Sequence, residues 1–298
     1  ASVSQKLKAG DQIVVRAVEI SAAEARPKPV AKPFALDVLF EDEHVIVINK
    51  PAFVSVHAGA GELGATLVDA LLAVWGALGK PVIETPITIT RPGIVHRLDK
   101  GTTGAIVCAK TDKAHRSLSQ QFHDKTTERE YAALLDGRLS SPKVEIESYL
   151  FRSPTDRTAY ASIDILEYAR RFGGEATAGY RRARSEFRRD SEFFGRLTLA
   201  AVRLYTGRTH QIRVHAKALG APVLGDPVYH HGGDLPASMP TSVARAAKSL
   251  SRQMLHARVL GFSHPENGEK MRFEAPYPAD FLEFLVTLAE ENDRRPKA

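Results

Sequence analysis

An apolar run of five residues, Ala105-Ile106-Val107-Cys108-Ala109, follows directly on a stretch rich in Gly and Thr. That stretch reads Ile94-Val95-His96-Arg97-Leu98-Asp99-Lys100-Gly101-Thr102-Thr103-Gly104. The small residues mark a turn, and the unbroken apolar run marks a buried strand. Asp99 therefore lies where a bend meets the end of a strand. A carboxylate there can face a ligand while the strand fixes its position. It can equally be a turn residue that bonds its own backbone. The stretch alone leaves both readings open.

The chain has 298 residues, enough for one large domain or two smaller ones. Its 43% hydrophobic and 26% charged content is that of an ordinary globular protein. No apolar run approaches the ~18 residues of a membrane span, so no membrane partner is expected. The first ten residues lack the apolar centre of a signal peptide. The single cysteine, Cys108, excludes an internal disulfide and a cysteine-based zinc site. A formal charge of +6 and a pI of about 9.4 favour a polyanionic partner.

Taken in order, residues 6–15 read as a turn and a strand, as if the chain began inside a small domain. Residues 21–35 are polar and Pro-rich, an extended linker. Two strands around Glu41-Asp42-Glu43 open the next unit, and Pro51 closes the second. Thr66 caps a helix through Leu67, Leu71 and Val74, and Thr111 caps another to about Phe122. Residues 129–135, 158–166, 196–204 and 254–262 are strand candidates. Residues 168–195 hold Arg170, Arg171, Arg181, Arg182, Arg184, Arg188 and Arg189 with few aliphatic residues. They read either as a solvated insertion or as an arm ordered by phosphates. Residues 206–220 suit a helix capped by Thr209 and ended by Gly220, with Ile212, Ala216 and Leu219 on one face. His210, Arg213 and Lys217 share the other face, and cations in a first turn oppose the helix dipole, which points to an anionic partner. Residues 232–250 read as a mobile loop. Phe281, Phe284, Leu285 and Leu288 pattern a final helix.

No His-Glu-x-x-His helix, Walker loop, Gly-x-Gly-x-x-Gly or Gly-x-Ser-x-Gly element is present, so neither metal nor nucleotide cofactor is expected. One well-placed Asp, several arginines and a basic surface suit covalent catalysis by a carboxylate on nucleic acid.

Residues 96–104, with Lys110 and Thr111 after the strand, resemble the catalytic motif of the RluA-type RNA pseudouridine synthases. Asn49-Lys50-Pro51 with Val56-His57 resembles that family's first motif, and residues 129–134 its tyrosine strand. Residues 206–215 with 224–229 resemble its third motif, and 256–268 its last strands. Thr103 stands where the family more usually has Ser and keeps the hydroxyl. Residues 1–20 resemble the tail of an S4 RNA-binding domain. The resemblance implies an α+β fold with a central, largely antiparallel bent mixed sheet, flanking helices and a deep catalytic cleft over residues 36–290, then a polar tail at 291–298. It implies conversion of uridine to pseudouridine in RNA by base flipping, without cofactor or metal, by a monomer. Large-subunit ribosomal RNA or a pre-ribosomal particle is favoured over transfer RNA. Asp99 is then catalytic, Tyr131 stacks on the base and Arg213 pairs with Asp99. Arg97 fills the gap left by the flipped nucleotide, and His96, Lys50, His57, Lys100, Arg208, His210 and Gln211 contact RNA. The alternative is a catalytically silent RNA-binding ribosome-assembly factor. Both a bacterial cytoplasm and an organelle, mitochondrion or chloroplast, fit.

Overall fold

The computed structural model describes residues 35–58, 65–77, 93–175, 177–230 and 235–294. The S4-like segment, all but the last residue of the linker, and residues 295–298 of the tail lie outside the described residues.

Among the described residues, ten strands form one sheet: β1 (Val38–Glu41), β2 (Val45–Lys50), β3 (Thr103–Ala109), β4 (Glu128–Asp136), β5 (Lys143–Arg152), β6 (Tyr160–Asp164), β7 (Arg181–Phe193), β8 (Leu197–Leu204), β9 (Leu255–Ser263) and β10 (Lys270–Glu274). Their spatial order is β1-β2-β3-β9-β4-β8-β7-β5-β6, with β10 also on β9. All pairings are antiparallel except β3 with β9, which meet in parallel at Thr103↔His256 and Gly104↔Ala257. Gly104 is required there. Its φ is +111°, and a Cβ would sit 2.2 Å from the Ala257 carbonyl oxygen.

The unbroken apolar runs are explained by cover on both faces. Ile46, Ile48, Ile106 and Cys108 face Leu67, Leu71 and Trp75 of helix α1 (Leu67–Ala77). Val45, Val47, Ala105 and Val107 face Ala114 and Leu118 of α2 (Asp112–Asp124). Successive strand residues point to opposite sides, so one run serves two cores. Thr66 and Thr111 cap as expected: Thr66 Oγ1 accepts from Asp69 N at 3.3 Å and Thr111 Oγ1 from Ala114 N at 3.1 Å.

Three expectations are corrected. Residues 168–195 are neither an idle insertion nor an arm. They complete α3 (Ile165–Phe172) and supply β7, which is paired on both sides, with β5 and β8. Their shortage of aliphatic residues is met by aromatic packing: Tyr168 stacks on Tyr149 at 3.8 Å and also packs on Phe172 and Tyr180. The expected strand at 158–166 ends at Asp164, whose carboxylate caps α3. Within 232–250, Thr241–Lys248 is helix α5, which packs Val243 with Phe281, Phe284 and Leu288 of α6 (Ala279–Asp293).

Candidate active site

Asp99 stands in the loop entering β3. Its carbonyl accepts from Thr102 N at 3.0 Å, which makes the turn with backbone alone. The side chain is left for Arg213, whose Nη1 lies 3.1 Å from Asp99 Oδ2. The loop is held from beneath by two buried basic side chains. Lys50 Nζ donates to the carbonyls of Pro51, Val54 and Lys100 at 2.9, 2.9 and 3.3 Å. Arg252 Nη1 donates to the Gly101 carbonyl at 3.2 Å, and its other nitrogens grip Asp280 at 2.7 Å each. The Thr103 hydroxyl pairs with His256 Nδ1 at 2.8 Å, so the position usually occupied by Ser has a structural hydrogen bond.

Arg213 belongs to α4 (Gln211–Ala218) and is 4% exposed. Its Nε and Nη2 form a two-point pair with Asp226 at 2.6 and 2.8 Å. Asp226 also accepts the Val228 and Tyr229 amides at 2.9 and 3.0 Å. Burial works against the Arg213 charge, but Asp226 and Asp99 outweigh it and hold the guanidinium above its usual range. The anions that the cationic helix face calls for are thus partly within the protein. Asp226 was not singled out in the sequence, although an Asp-Pro turn thirteen residues beyond Arg213 is visible there.

The turn into α4 differs from the expected Thr209 cap. His210 precedes the helix at φ +56°, a left-handed conformation uncommon for a side-chain-bearing residue and frequent at functional sites. Its Nδ1 lies 2.8 Å from the Tyr229 hydroxyl and its Nε2 3.9 Å from Asp99 Oδ2. Burial lowers the His210 pKa, with Asp99 pulling the other way.

These groups open on a cleft of about 530 Å³, the size of a small-ligand site. Tyr131, 8% exposed, lines it from β4, beside a register shift between Glu130 and Ala132. Burial pushes the Tyr131 hydroxyl up to about 12, so it stays protonated at neutral pH. Arg97 and Arg208 are exposed and line the cleft, while Lys100 is exposed on the Asp99 loop. Among the described residues that line the cleft, Asp99 is the one carboxylate.

Four expected RNA contacts are placed differently. Lys50 is 0% exposed and spends its donors on backbone carbonyls. Gln211 is 2% exposed and bonded to Thr206, Ser185 and the Arg184 carbonyl. His57 is buried and is not a lining residue. His96 borders the cleft, but its Nε2 accepts the Val107 amide at 3.1 Å and its ring stacks on Phe122. Burial takes His96 down to about 3, which suits a neutral acceptor and not a phosphate contact. Lys50 and His57 lie away from the cleft, whereas His96 and Gln211 border it with polar groups bonded to the protein.

A sequence model of the RNA pseudouridylate synthases matches residues 44–218. Ribosomal large subunit pseudouridine synthase D of Pseudomonas aeruginosa is 35% identical over 284 residues, covering 95% of this chain and 80% of that protein. The uncharacterized RNA pseudouridine synthase YlyB of Bacillus subtilis is 37% identical over 287 residues, covering 95% and 81%. The solved structure of human RNA pseudouridylate synthase domain containing 4 shares the fold, with a TM-score of 0.62 at 20% identity over 85% of this chain and 92% of that one. The family model spans more than half of the chain, and both relatives match it over most of their own length, so the chain belongs to the RNA pseudouridine synthase family.

Proposed function

We propose that this enzyme isomerises uridine in large-subunit ribosomal RNA, acting as a monomer without metal or cofactor, in a bacterial cytoplasm or an organelle. The observation that carries the reading is a lone carboxylate, Asp99, held against the buried Arg213 in a cleft with Arg97, Arg208 and Tyr131 around it. The relatives named for the large ribosomal subunit span almost the whole chain, which supports the substrate.

The target base is unreachable while stacked, so the nucleotide turns out of its helix, and Arg97 at the exposed rim fills the gap. Tyr131 stacks on the base. The N1–C1′ bond breaks, the base turns, and C5 bonds to C1′. C5 loses a proton and N1 gains one, so atoms balance without a co-reactant. Asp99 either attacks C1′ or takes a sugar proton to form a glycal, and both routes need the same ionised carboxylate. Arg213 fixes its orientation, and Asp226 fixes Arg213.

Asp99→Asn tests the reading, since Asn keeps the shape but is a far poorer nucleophile and base. Pseudouridine is mapped in large-subunit ribosomal RNA from cells with the gene, without it, and with the Asn form. The modification is expected only with the wild type, while the Asn protein binds RNA normally. More than trace conversion by Asp99→Asn, or an unchanged map without the gene, rejects it.

A further inference from the structure

Arg129 has no role in the reaction as described. It lies two residues before Tyr131 on β4, so both side chains share a face and both line the cleft. Arg129 is 8% exposed, and its buried Nε has no hydrogen-bond partner. Its guanidinium is 5.6 Å from the centre of the Phe122 ring. Among the described residues Arg129 makes no ion pair, whereas the buried Arg213 and Arg252 have Asp226 and Asp280. Burial lowers its pKa with no carboxylate to offset the loss. An uncompensated buried cation is costly in the free protein.

The space around it is also specific. A Cβ on Gly207 would lie 2.8 Å from Arg129 Nη1, and Gly207 does not have a left-handed φ. A side chain at 207 would thus meet the movable end of Arg129 and displace it, while the backbone there would accept one.

We propose that Arg129 binds a phosphodiester oxygen of the RNA beside the nucleotide turned into the cleft, and that Gly207 leaves room for its guanidinium. The inference rests on the cleft being the RNA site. The buried charge needs an anion, and the only anion RNA carries is phosphate. The planar fork, held on Phe122, matches two phosphate oxygens, whereas base edges offer neutral acceptors.

The test measures binding of unmodified transcripts of large-subunit ribosomal RNA across a salt series, with melting of the free proteins alongside. Arg129→Met is expected to weaken binding about tenfold and to flatten the slope of log affinity against log salt by roughly 0.7 to 0.9, the loss of one phosphate contact. Arg129→Lys keeps the slope but not the full affinity. Gly207→Ala weakens binding by displacing Nη1, with the charge intact. Melting of Arg129→Met is expected to match or exceed the wild type, since an unpaired buried charge is removed. A wild-type salt slope for Arg129→Met, or melting lowered by several degrees, overturns the proposal in favour of a base contact or a structural role. If the wild type forms no pseudouridine in these transcripts, the proposed function fails, while the salt slopes, which read binding alone, still decide Arg129.

Discussion

Asp226 shapes the site without facing the cleft. It is 1% exposed and accepts two guanidinium and two backbone N–H groups, so both its oxygens are engaged. Arg213 can present Nη1 to Asp99 only because Asp226 holds the rest of the fork. Arg213→Ala leaves a buried carboxylate unpaired, which costs about 3–5 kcal/mol of a total stability of about 5–15 kcal/mol. The informative variants are therefore Arg213→Lys and Asp226→Asn. Lys lacks the fork and cannot reach both carboxylates in the same geometry. Both variants are expected to lower kcat by about 10²–10³-fold with KM little changed, as loss of a preorganised electrostatic partner does. Single-turnover rates at saturating RNA check this, and a change confined to KM contradicts it.

At the scale of elements, β7 changes what the arginine-rich segment means. Arg182 and Arg184 pair with Glu147 and Glu145 on β5 at 2.6 and 2.7 Å, and Arg189 pairs with Glu192 at 3.0 Å. Arg188 reaches Asp190 at 3.3 Å. Much of the charge that suggested a phosphate grip is thus matched along the sheet. Arg181 lies near enough to the cleft-lining Arg208 for its charge, after burial, to lower that arginine's pKa. Removing residues 172–192 would take out a strand that carries β5 and β6, not an appendage. The expected result is loss of the cooperative unfolding transition in urea. A deletion protein that melts cooperatively, with only its salt dependence altered, would restore the appendage reading.

Across the whole molecule, several histidines are buried in neutral form. Burial lowers His96 to about 3 and His215 and His256 to about 4, from an ordinary value of 6.5. His215 is held by Ser148 and Ser185 at 3.0 and 2.9 Å, and His256 by Thr103 and the Ala275 carbonyl. The unfolded chain takes up protons at these sites near pH 6.5, and the folded chain only near pH 4 or below. Their stabilising effect is complete above about pH 6.5 and is lost as pH falls through 4. Each contributes a slope approaching 1.4 kcal/mol per pH unit, roughly the value of one pKa unit. Urea unfolding at a series of pH values checks this: stability is expected to fall on acidification from pH 6.5, and His215→Gln to flatten the fall by about one proton. Stability independent of pH in that window contradicts it.

What could be read along the chain was what neighbouring residues decide together. Small residues before an apolar run placed Asp99 at the mouth of β3. Thr66 and Thr111 announced their helices because a cap is made with an amide three residues away. The spacing of Ile212, Ala216 and Leu219 marked the side of α4 that packs on the main core, but not that Arg213, Val214 and His215 are buried too. The Asp99–Arg213 pair, 114 residues apart, was legible only through family resemblance, since no local pattern reports a contact across that distance. Asp226, the burial of Lys50 and Gln211, and the unpaired Arg129 were decided by the tertiary structure. A polar side chain's sequence neighbours do not say whether it faces solvent, a carbonyl or a cleft. That depends on which strands meet beside it, and here β9 joins β3 to β4, bringing the Asp99 loop and Tyr131 into one cleft. The segment at 168–195 was misread for the same reason: its arginines are indeed largely exposed, but the strand that carries most of them exists because β5 and β8 pair with it from either side.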